Sequence, residues 1–504
     1  MNPLSPESIV AVIGAGTMGA GIAQVAAQAG HPVLLYDAAP GSPEKAIART
    51  AEGLARLVER GKFTAEEAAA TVSRLTPVAK ITDLAPAGLV IEAIVEDLAI
   101  KQELFISLEN ICAPGTILAS NTSSLSISDI ARVLVDPGNF VGMHFFNPAQ
   151  VMKLVEIVSG SASAADCAGR VFATAEAWGK KPVHATSSPG FIVNRVARPF
   201  YGEALRVLEE DGADAATIDA IMRESGGFRM GPFELMDLIG NDINLAVTTS
   251  VYHAFAQNPR FEPSKVQQDL VAAGKLGRKS GCGFYDYGQG ASPPQAVSSA
   301  AASAAPQSVT VHGDLGVAEA LVGMIEKVGI ACSREPSAGE QGFLRLGAAR
   351  LHLCDGGPAS EHGSNAIAFD LALDYNEATR IALAPAPSCD PAAVAAAVGL
   401  FQALGKSVSV IRDIAGMIVM RSVCMLANEG ADAVNARVCV EAAVDTAMCY
   451  GVNYPAGPLQ WADAIGLGLV ERVLDNMAAV YDNPRYQCSA LIRSKVAAGE
   501  LFRS

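Results

Sequence analysis

The chain repeats itself at a fixed distance. GFIVNR at 190–195 returns as GMIVMR at 416–421, and MGPFELMDLIG at 230–240 returns as AGPLQWADAIG at 456–466, both 226 residues further on. NPRF at 258–261 and VAAGKL at 271–276 return as NPRY at 483–486 and VAAGEL at 496–501, now 225 residues on. Four segments at one spacing, shifted once by a single deletion, are the mark of an internal duplication. The match reaches upstream, where Gly179 in AEAWGKKPV meets Gly405 in VGLFQALGKSV. Residues 309–330 faintly echo the start of the chain. Residues 309–504 therefore read as a degenerate, shorter copy of 8–286. With 504 residues, 50% of them apolar, the chain can bury several cores.

The first copy opens with a β-branched run, Ser8–Ile13, which enters Gly14-Ala15-Gly16-Thr17-Met18-Gly19. A small-residue helix over Thr17–Ala29 and a second strand over His31–Asp37 follow. Each glycine has a physical task in such a turn. Gly14 allows the tight bend, Gly16 lets a pyrophosphate approach the backbone, and Gly19 lets helix and strand pack closely. The helix N-terminus offers free N–H groups and the positive end of its dipole. Asp37 stands where a carboxylate accepts the adenine-ribose hydroxyls and repels a 2′-phosphate, so NAD is expected rather than NADP. The echo keeps Gly313 but has Leu315 at the second glycine position, and no dinucleotide is expected there.

A charged helix over 43–60 and strand-like runs at Gly88–Ile94, Thr116–Ser120, Phe140–Phe145 and Lys153–Val158 continue the β/α alternation. Residues 191–285 read as helical. The Ala/Ser/Pro/Gln-rich stretch 288–308 reads as a linker. The expected fold is an α/β Rossmann-like NAD-binding domain (1–187) and an all-α C-terminal domain (188–287). After the linker come a degenerate Rossmann-like domain (309–407) and a second helical domain (408–504).

The net charge of −15 argues against nucleic-acid binding, which needs a basic face. No apolar run is long enough to span a membrane. The ten cysteines form no C-x-x-C pair, and neither they nor the seven histidines show metal spacing. The N-terminal segment lacks a basic stretch followed by an apolar one, so a cytoplasmic location is expected.

The second chemical cluster lies on the same sheet. Ser120–Ser124 follows a strand end, where open parallel sheets hold ligands. His144 ends another strand, and Glu156 lies on the next. A carboxylate-oriented imidazole suits removal of a hydroxyl proton during hydride transfer.

GAGTMG, ASNTSSL, HFFNPAQVMKLVEIV, PGFIVNR and GRKSGCGFYDY, in this order over residues 8–287, together resemble the L-3-hydroxyacyl-CoA dehydrogenase family. The degenerate second half further resembles its long bacterial branch, which includes 3-hydroxybutyryl-CoA and phenylacetate-pathway 3-hydroxyadipyl-CoA dehydrogenases. The resemblance implies that His144 is the base, Glu156 its partner, Ser123 a contact of substrate and nicotinamide, and Asn194 an orienter of the substrate. It also implies NAD contacts at Glu96, Lys101, Asn147 and Lys279. Lys45, Arg49, Arg56 and Arg60 share one helix face. The family clamps CoA with this arm, which makes Arg56 and Arg60 the expected substrate contacts. Gly53 departs from the usual hydroxyl residue there.

At the repeat offset His144 falls on Asp370, Glu156 on Ala382 and Asn194 on Met420, so the second copy cannot run the same chemistry. Its helical part is expected to dock on the first as a second subunit would, giving an intramolecular pseudo-dimer that could pair again as a homodimer. The leading reading is NAD-dependent oxidation of an L-3-hydroxyacyl-CoA to the 3-oxoacyl-CoA. A crystallin-like dehydrogenase of a free sugar acid and a non-catalytic NAD-binding scaffold are the alternatives. For a substrate with a distal carboxylate, Arg198, Arg229 and Lys153 are the candidate anchors.

Overall fold

The computed structural model describes residues 1–292, 294–296, 302–336 and 342–503, so part of the expected linker lies outside the described residues. The chain divides into two compact units, one formed by 1–195 with 436–453, the other by 196–435 with 454–503.

The first unit is built on eight strands: β1 (Val10–Ile13), β2 (Val33–Tyr36), β3 (Leu75–Val78), β4 (Leu89–Glu92), β5 (Ile117–Ser120), β6 (Phe140–Phe145), β7 (Leu154–Ser159) and β8 (Lys181–Thr186). Their order is β3-β2-β1-β4-β5-β6-β7-β8. Neighbours run parallel except β6 and β7, which pair antiparallel. The order reverses between β1 and β4, and the glycine turn leaves the sheet at that switch point. Continuous apolar runs such as VAVI and LVIE are buried throughout, as expected for strands covered on both faces. The expected strands and the helices Thr17–Gln28 and Ser42–Glu59 are present. Sequence reading passed over β3, β8 and the helix Ala65–Ser73. β3 is edge-placed and holds Pro77, and β8 begins KP, so neither carries the apolar run that flags a buried strand.

The helix Glu441–Gly451 from the far end of the chain belongs to this unit and packs on β7 and β8. The N–H of Thr186 donates to the Val438 carbonyl at 2.8 Å. A Cβ at Gly451 would come within 2.6 Å of the Leu154 side chain, so the glycine permits the close approach.

The second unit begins with helices Arg198–Glu209, Ala215–Glu224, Pro232–Ile239, Asn241–Ala254 and Lys265–Ala272, as the sequence predicts. Seven strands follow: β9 (Ser308–His312), β10 (Ala331–Glu335), β11 (Phe343–Leu346), β12 (Ala349–Leu353), β13 (Ala366–Phe369), β14 (Arg380–Pro385) and β15 (Ser407–Val410). Their order is β10-β9-β11-β12-β13-β14-β15. The β11–β12 hairpin sits where the first sheet has parallel strands. Leu315 is buried and fills the turn that Gly16 leaves open in the first half.

The helix Val419–Asn435 packs along Arg198–Glu209. Two arginines here are paired with carboxylates. Arg421, fully buried, reaches Glu210 at 2.9 Å, and Arg260 reaches Glu429 at 2.9 Å. The helix Ala215–Glu224 lies on β14, where the Ser225 hydroxyl donates to the Arg380 carbonyl at 2.6 Å. Left-handed backbone recurs at the repeat spacing: Gly190 and Phe191 have φ of 72° and 48°, and Gly416 and Met417 have 76° and 49°.

Candidate active site

The glycine turn is shaped by contact. Gly14 has φ +101°, and a Cβ there would overlap the Ala93 carbonyl at the end of β4. A Cβ at Gly19 would overlap the Gly14 carbonyl. Gly16 meets nothing within 4 Å, so open space lies over the backbone where a pyrophosphate must approach. No side chain caps the N-terminus of Thr17–Gln28. Thr17 is exposed and Met18 half-buried at that end. Asp37 closes the loop from β2, accepting the Ala15 N–H at 2.7 Å and the Ala39 N–H at 2.9 Å. Each oxygen keeps a lone-pair direction for a further donor. The residues present fit a dinucleotide: bare N–H groups, an open glycine and a carboxylate beyond β2.

A buried ionic network stands beside the turn. Lys101 is 1% exposed, with its ammonium 2.5 Å from Glu92 and 3.3 Å from Glu96. Glu92 also accepts the Ser120 hydroxyl at 2.6 Å. One oxygen of Glu96 accepts the Thr122 hydroxyl and the N–H groups of Ser123 and Ser124. These hydrogen bonds and the Lys101 charge outweigh the cost of burial and hold Glu96 below the usual carboxylate range. Glu96 and Lys101 therefore shape the loop that carries Ser123. Glu92 escaped the sequence reading, and Asn121 entered it only as a member of the Ser120–Ser124 cluster. A lone acid ending the apolar run LVIE was the available signal for Glu92, since a buried carboxylate needs a partner. Asn121 accepts the Phe145 N–H at 2.8 Å and so ties the end of β5 to the end of β6.

His144 and Glu156 face each other across the β6–β7 register. Nδ1 of His144 lies 2.7 Å from Oε2 of Glu156, which is fully buried. With the Nδ1 proton directed at the carboxylate, the lone pair of Nε2 is free. Phe146 and Phe191 flank the imidazole, with ring centroids 4.5 and 5.8 Å away. The other oxygen of Glu156 accepts the N–H groups of Ile192 and Val193, each at 3.0 Å. One carboxylate thus orients the imidazole and anchors the turn that presents Asn194. The amide of Asn194 donates to the Ser123 carbonyl at 3.4 Å. Ser123, His144, Glu156 and Asn194 are brought together as expected. Asn147 is exposed just beyond β6.

Other expected contacts are placed less tellingly. Lys279, in the second unit, pairs with Asp242 at 2.6 Å, and the hydrogen bond it donates, with its charge, holds that carboxyl below the usual carboxylate range. Arg49 reaches the Ala15 carbonyl at 3.3 Å. Arg56 is exposed and lies 3.7 Å from Glu52 within its own helix, and Arg60 is exposed at that helix's end. Among the described residues no helix is long and apolar enough to cross a membrane.

Comparison with known proteins agrees with this geometry. The profile of the 3-hydroxyacyl-CoA dehydrogenase NAD-binding domain matches residues 9–188. That of the C-terminal domain of the same family matches twice, at 190–287 and 416–504. A 3-hydroxybutyryl-CoA dehydrogenase reduced Rossmann-fold domain matches 351–414. The chain is 43% identical to the 3-hydroxyadipyl-CoA dehydrogenase of Escherichia coli K12, over 96% of this chain and 97% of that one. It is 41% identical to the human mitochondrial hydroxyacyl-coenzyme A dehydrogenase, over 55% of this chain and 90% of that one. The crystal structure of an E. coli K12 3-hydroxybutyryl-CoA dehydrogenase superposes with a TM-score of 0.89 at 41% identity, covering 98% of this chain and 99% of that one. An NAD-binding Rossmann-like domain, a helical C-terminal domain and the matches along the whole chain lead to one conclusion: the protein belongs to the 3-hydroxyacyl-CoA dehydrogenase family and is an NAD-dependent oxidoreductase.

Proposed function

We propose that the protein oxidises the C3 hydroxyl of an L-3-hydroxyacyl-CoA with His144 as general base, 3-hydroxybutyryl-CoA and 3-hydroxyadipyl-CoA being the foremost substrates. The observation that carries this is the bridging carboxylate of Glu156, bound to His144 on one side and to the Asn194 turn on the other. Nε2 of His144 accepts the hydroxyl proton, and Glu156 stabilises the imidazolium that results. Asn194 and Ser123 orient the thioester beside it. Bound NAD, held by the Gly14–Gly19 turn and Asp37, supplies the hydride acceptor. Glu96, Lys101 and Asn147 support its nicotinamide end by shaping the loops there, and Lys279 is kept among its contacts on the family resemblance alone. Arg56 and Arg60 hold the CoA nucleotide, an assignment that rests on their solvent-facing helix stripe.

The second half belongs to the same proposal as a degenerate copy. Support comes from helices and strands that recur at the repeat spacing, such as Pro232–Ile239 with Pro458–Ile465 and β7 with β14. Lys180 and Lys406 occupy equivalent positions and both donate to loop carbonyls. The domains of this proposal are 1–187, 188–287, 309–407 and 408–504, with the two helical domains forming a pseudo-dimer. The packing of Val419–Asn435 on Arg198–Glu209 supports that pairing. A cytoplasmic location and further pairing into a homodimer complete the reading.

The test is NADH formation, followed by its ultraviolet absorbance, with both thioesters and with L-gulonate in parallel. Activity on a thioester supports the proposal, and activity on gulonate alone would transfer the protein to the sugar-acid branch. His144→Gln is expected to lower kcat by about 10³-fold or more while NAD still binds. A loss under twofold would refute the role given to His144.

A further inference from the structure

Arg198 opens the first long helix of the second unit and is 7% exposed. Its Nη1 donates to the Thr248 hydroxyl at 3.1 Å, and its guanidinium lies 4.9 Å from the Tyr201 ring centroid. No carboxylate lies within ion-pair distance among the described residues, and its Nε is buried with no hydrogen-bond partner. The surrounding arginines differ in having carboxylate partners. Arg206 pairs with Glu203, Arg260 with Glu429, and Arg485 with Glu262. Burial without a counter-charge lowers the pKa of Arg198, the signature of a cation held without its anion.

Arg198 lines a cavity of about 260 Å³ whose walls include Tyr201, Leu205, Phe261 and Thr248, and also the charged side chains of Arg206, Arg260, Arg485, Lys265, Glu209 and Glu262. Cations outnumber carboxylates in this lining, and Tyr201, Leu205 and Phe261 give it an apolar wall, so it suits a short aliphatic stem ending in a carboxylate. The second half of the chain supplies an internal control. At the repeat offset, Arg198 corresponds to Cys424 and Thr248 to Leu474, both fully buried. The helical fold thus packs these two positions with apolar side chains, and nothing in it demands a buried arginine. Of the three anchors considered from the sequence, Arg229 and Lys153 are exposed and only Arg198 is sequestered.

We propose that the Arg198–Thr248 cavity is a carboxylate-binding site for a free short aliphatic dicarboxylate. The inference is independent of the dehydrogenase reading above.

The test is adipate binding to the full-length protein, followed by calorimetry and by thermal shift, in wild type, Arg198→Met and Thr248→Leu. Binding to wild type that both variants weaken about tenfold or more supports the proposal. No adipate binding to wild type, or binding that neither variant weakens, overturns it. If Arg198→Met does not fold, the wild-type titration and Thr248→Leu decide the matter. Absence of NADH formation with every thioester is the failure of the dehydrogenase reading, and the adipate titration remains informative in that case.

Discussion

Replacing Glu156 by Gln separates its two tasks. The carboxylate is fully buried and engages three donors: His144 through one oxygen, and the Ile192 and Val193 N–H groups through the other. Glutamine keeps one carbonyl oxygen, which can continue to accept both backbone N–H groups. Its amide nitrogen then faces Nδ1 of His144 as a donor, which draws the imidazole into the tautomer with its proton on Nε2. That form has no lone pair to offer the substrate hydroxyl. The expected loss in kcat is about 10³–10⁴-fold, the scale on which a mis-set tautomer disables an oriented imidazole. The structural cost is smaller, about 1–2 kcal/mol, because only the charge-assisted character of these bonds is lost. Glu156→Ala instead leaves two N–H groups buried and unpaired, at about 1–3 kcal/mol each, and should lower stability by about 3–5 kcal/mol. Urea unfolding read alongside NADH formation from 3-hydroxybutyryl-CoA distinguishes the variants: Gln nearly as stable as wild type but inactive, Ala both unstable and inactive. A Gln variant retaining kcat within tenfold would refute the tautomer argument. Equal destabilisation by Gln and Ala would refute the assignment of the second oxygen to the turn.

Asp370→Asn should cost about 1–3 kcal/mol in urea unfolding without altering kcat, since this carboxylate serves only backbone donors. Gly16→Ala meets no atom and should fold normally while weakening NAD binding about tenfold or more by calorimetry, whereas Gly19→Ala must displace the Gly14 carbonyl and should lower Tm sharply. Burial pushes Asp219 up to about 7, against 3.8 for the free side chain, despite hydrogen bonds from Tyr285, Phe233 and Glu234. The folded state thus binds the proton more tightly than the unfolded one, so the contribution of Asp219 to stability is greatest below about pH 4 and is lost as pH rises through about 7. Between those limits the advantage of wild type over Asp219→Asn should shrink by up to about 4 kcal/mol, measured by denaturant unfolding at each pH. A gap that widened with pH would contradict the sign.

The glycine turn was legible because its residues answer to backbone geometry, and Gly14 and Gly19 are where a Cβ would strike a neighbouring carbonyl. The His144–Glu156 pair was legible because adjacent antiparallel strands place facing residues in register. What stayed hidden depends on distant parts of the chain meeting. No local pattern shows that Glu441–Gly451 lies on β7 and β8, or that Ala215–Glu224 lies on β14. The charged stripe at Arg56 and Arg60 was equally visible in the sequence, yet periodicity alone does not tell a ligand-facing side from a solvated one.

On the proposal that the second half is a degenerate copy, its site decayed while the packing of the turn was kept. In the first half the carboxylate that anchors the turn at Ile192 and Val193 comes from β7. In the second half the β14 residue is Ala382, and the N–H groups of Ile418 and Val419 are taken by Asp370, which stands where His144 would be. The two positions face each other, since the Asp370 N–H donates to the Ala382 carbonyl at 3.0 Å. A carboxylate on either strand can therefore reach the turn, but only with the acid on the β7 side is the facing position free to hold an imidazole. The buried N–H groups demand an acceptor in both halves, whereas the histidine answers to chemistry alone. Asp370→His with Ala382→Glu should therefore be tolerated better than Asp370→His alone, which would remove the side-chain acceptor that serves this turn among the described residues. Urea unfolding of the two variants measures the difference, expected at about 2–4 kcal/mol in favour of the double replacement. Equal stabilities would mean that the turn does not need the carboxylate, and the account of Glu156 as a structural anchor would fall with it.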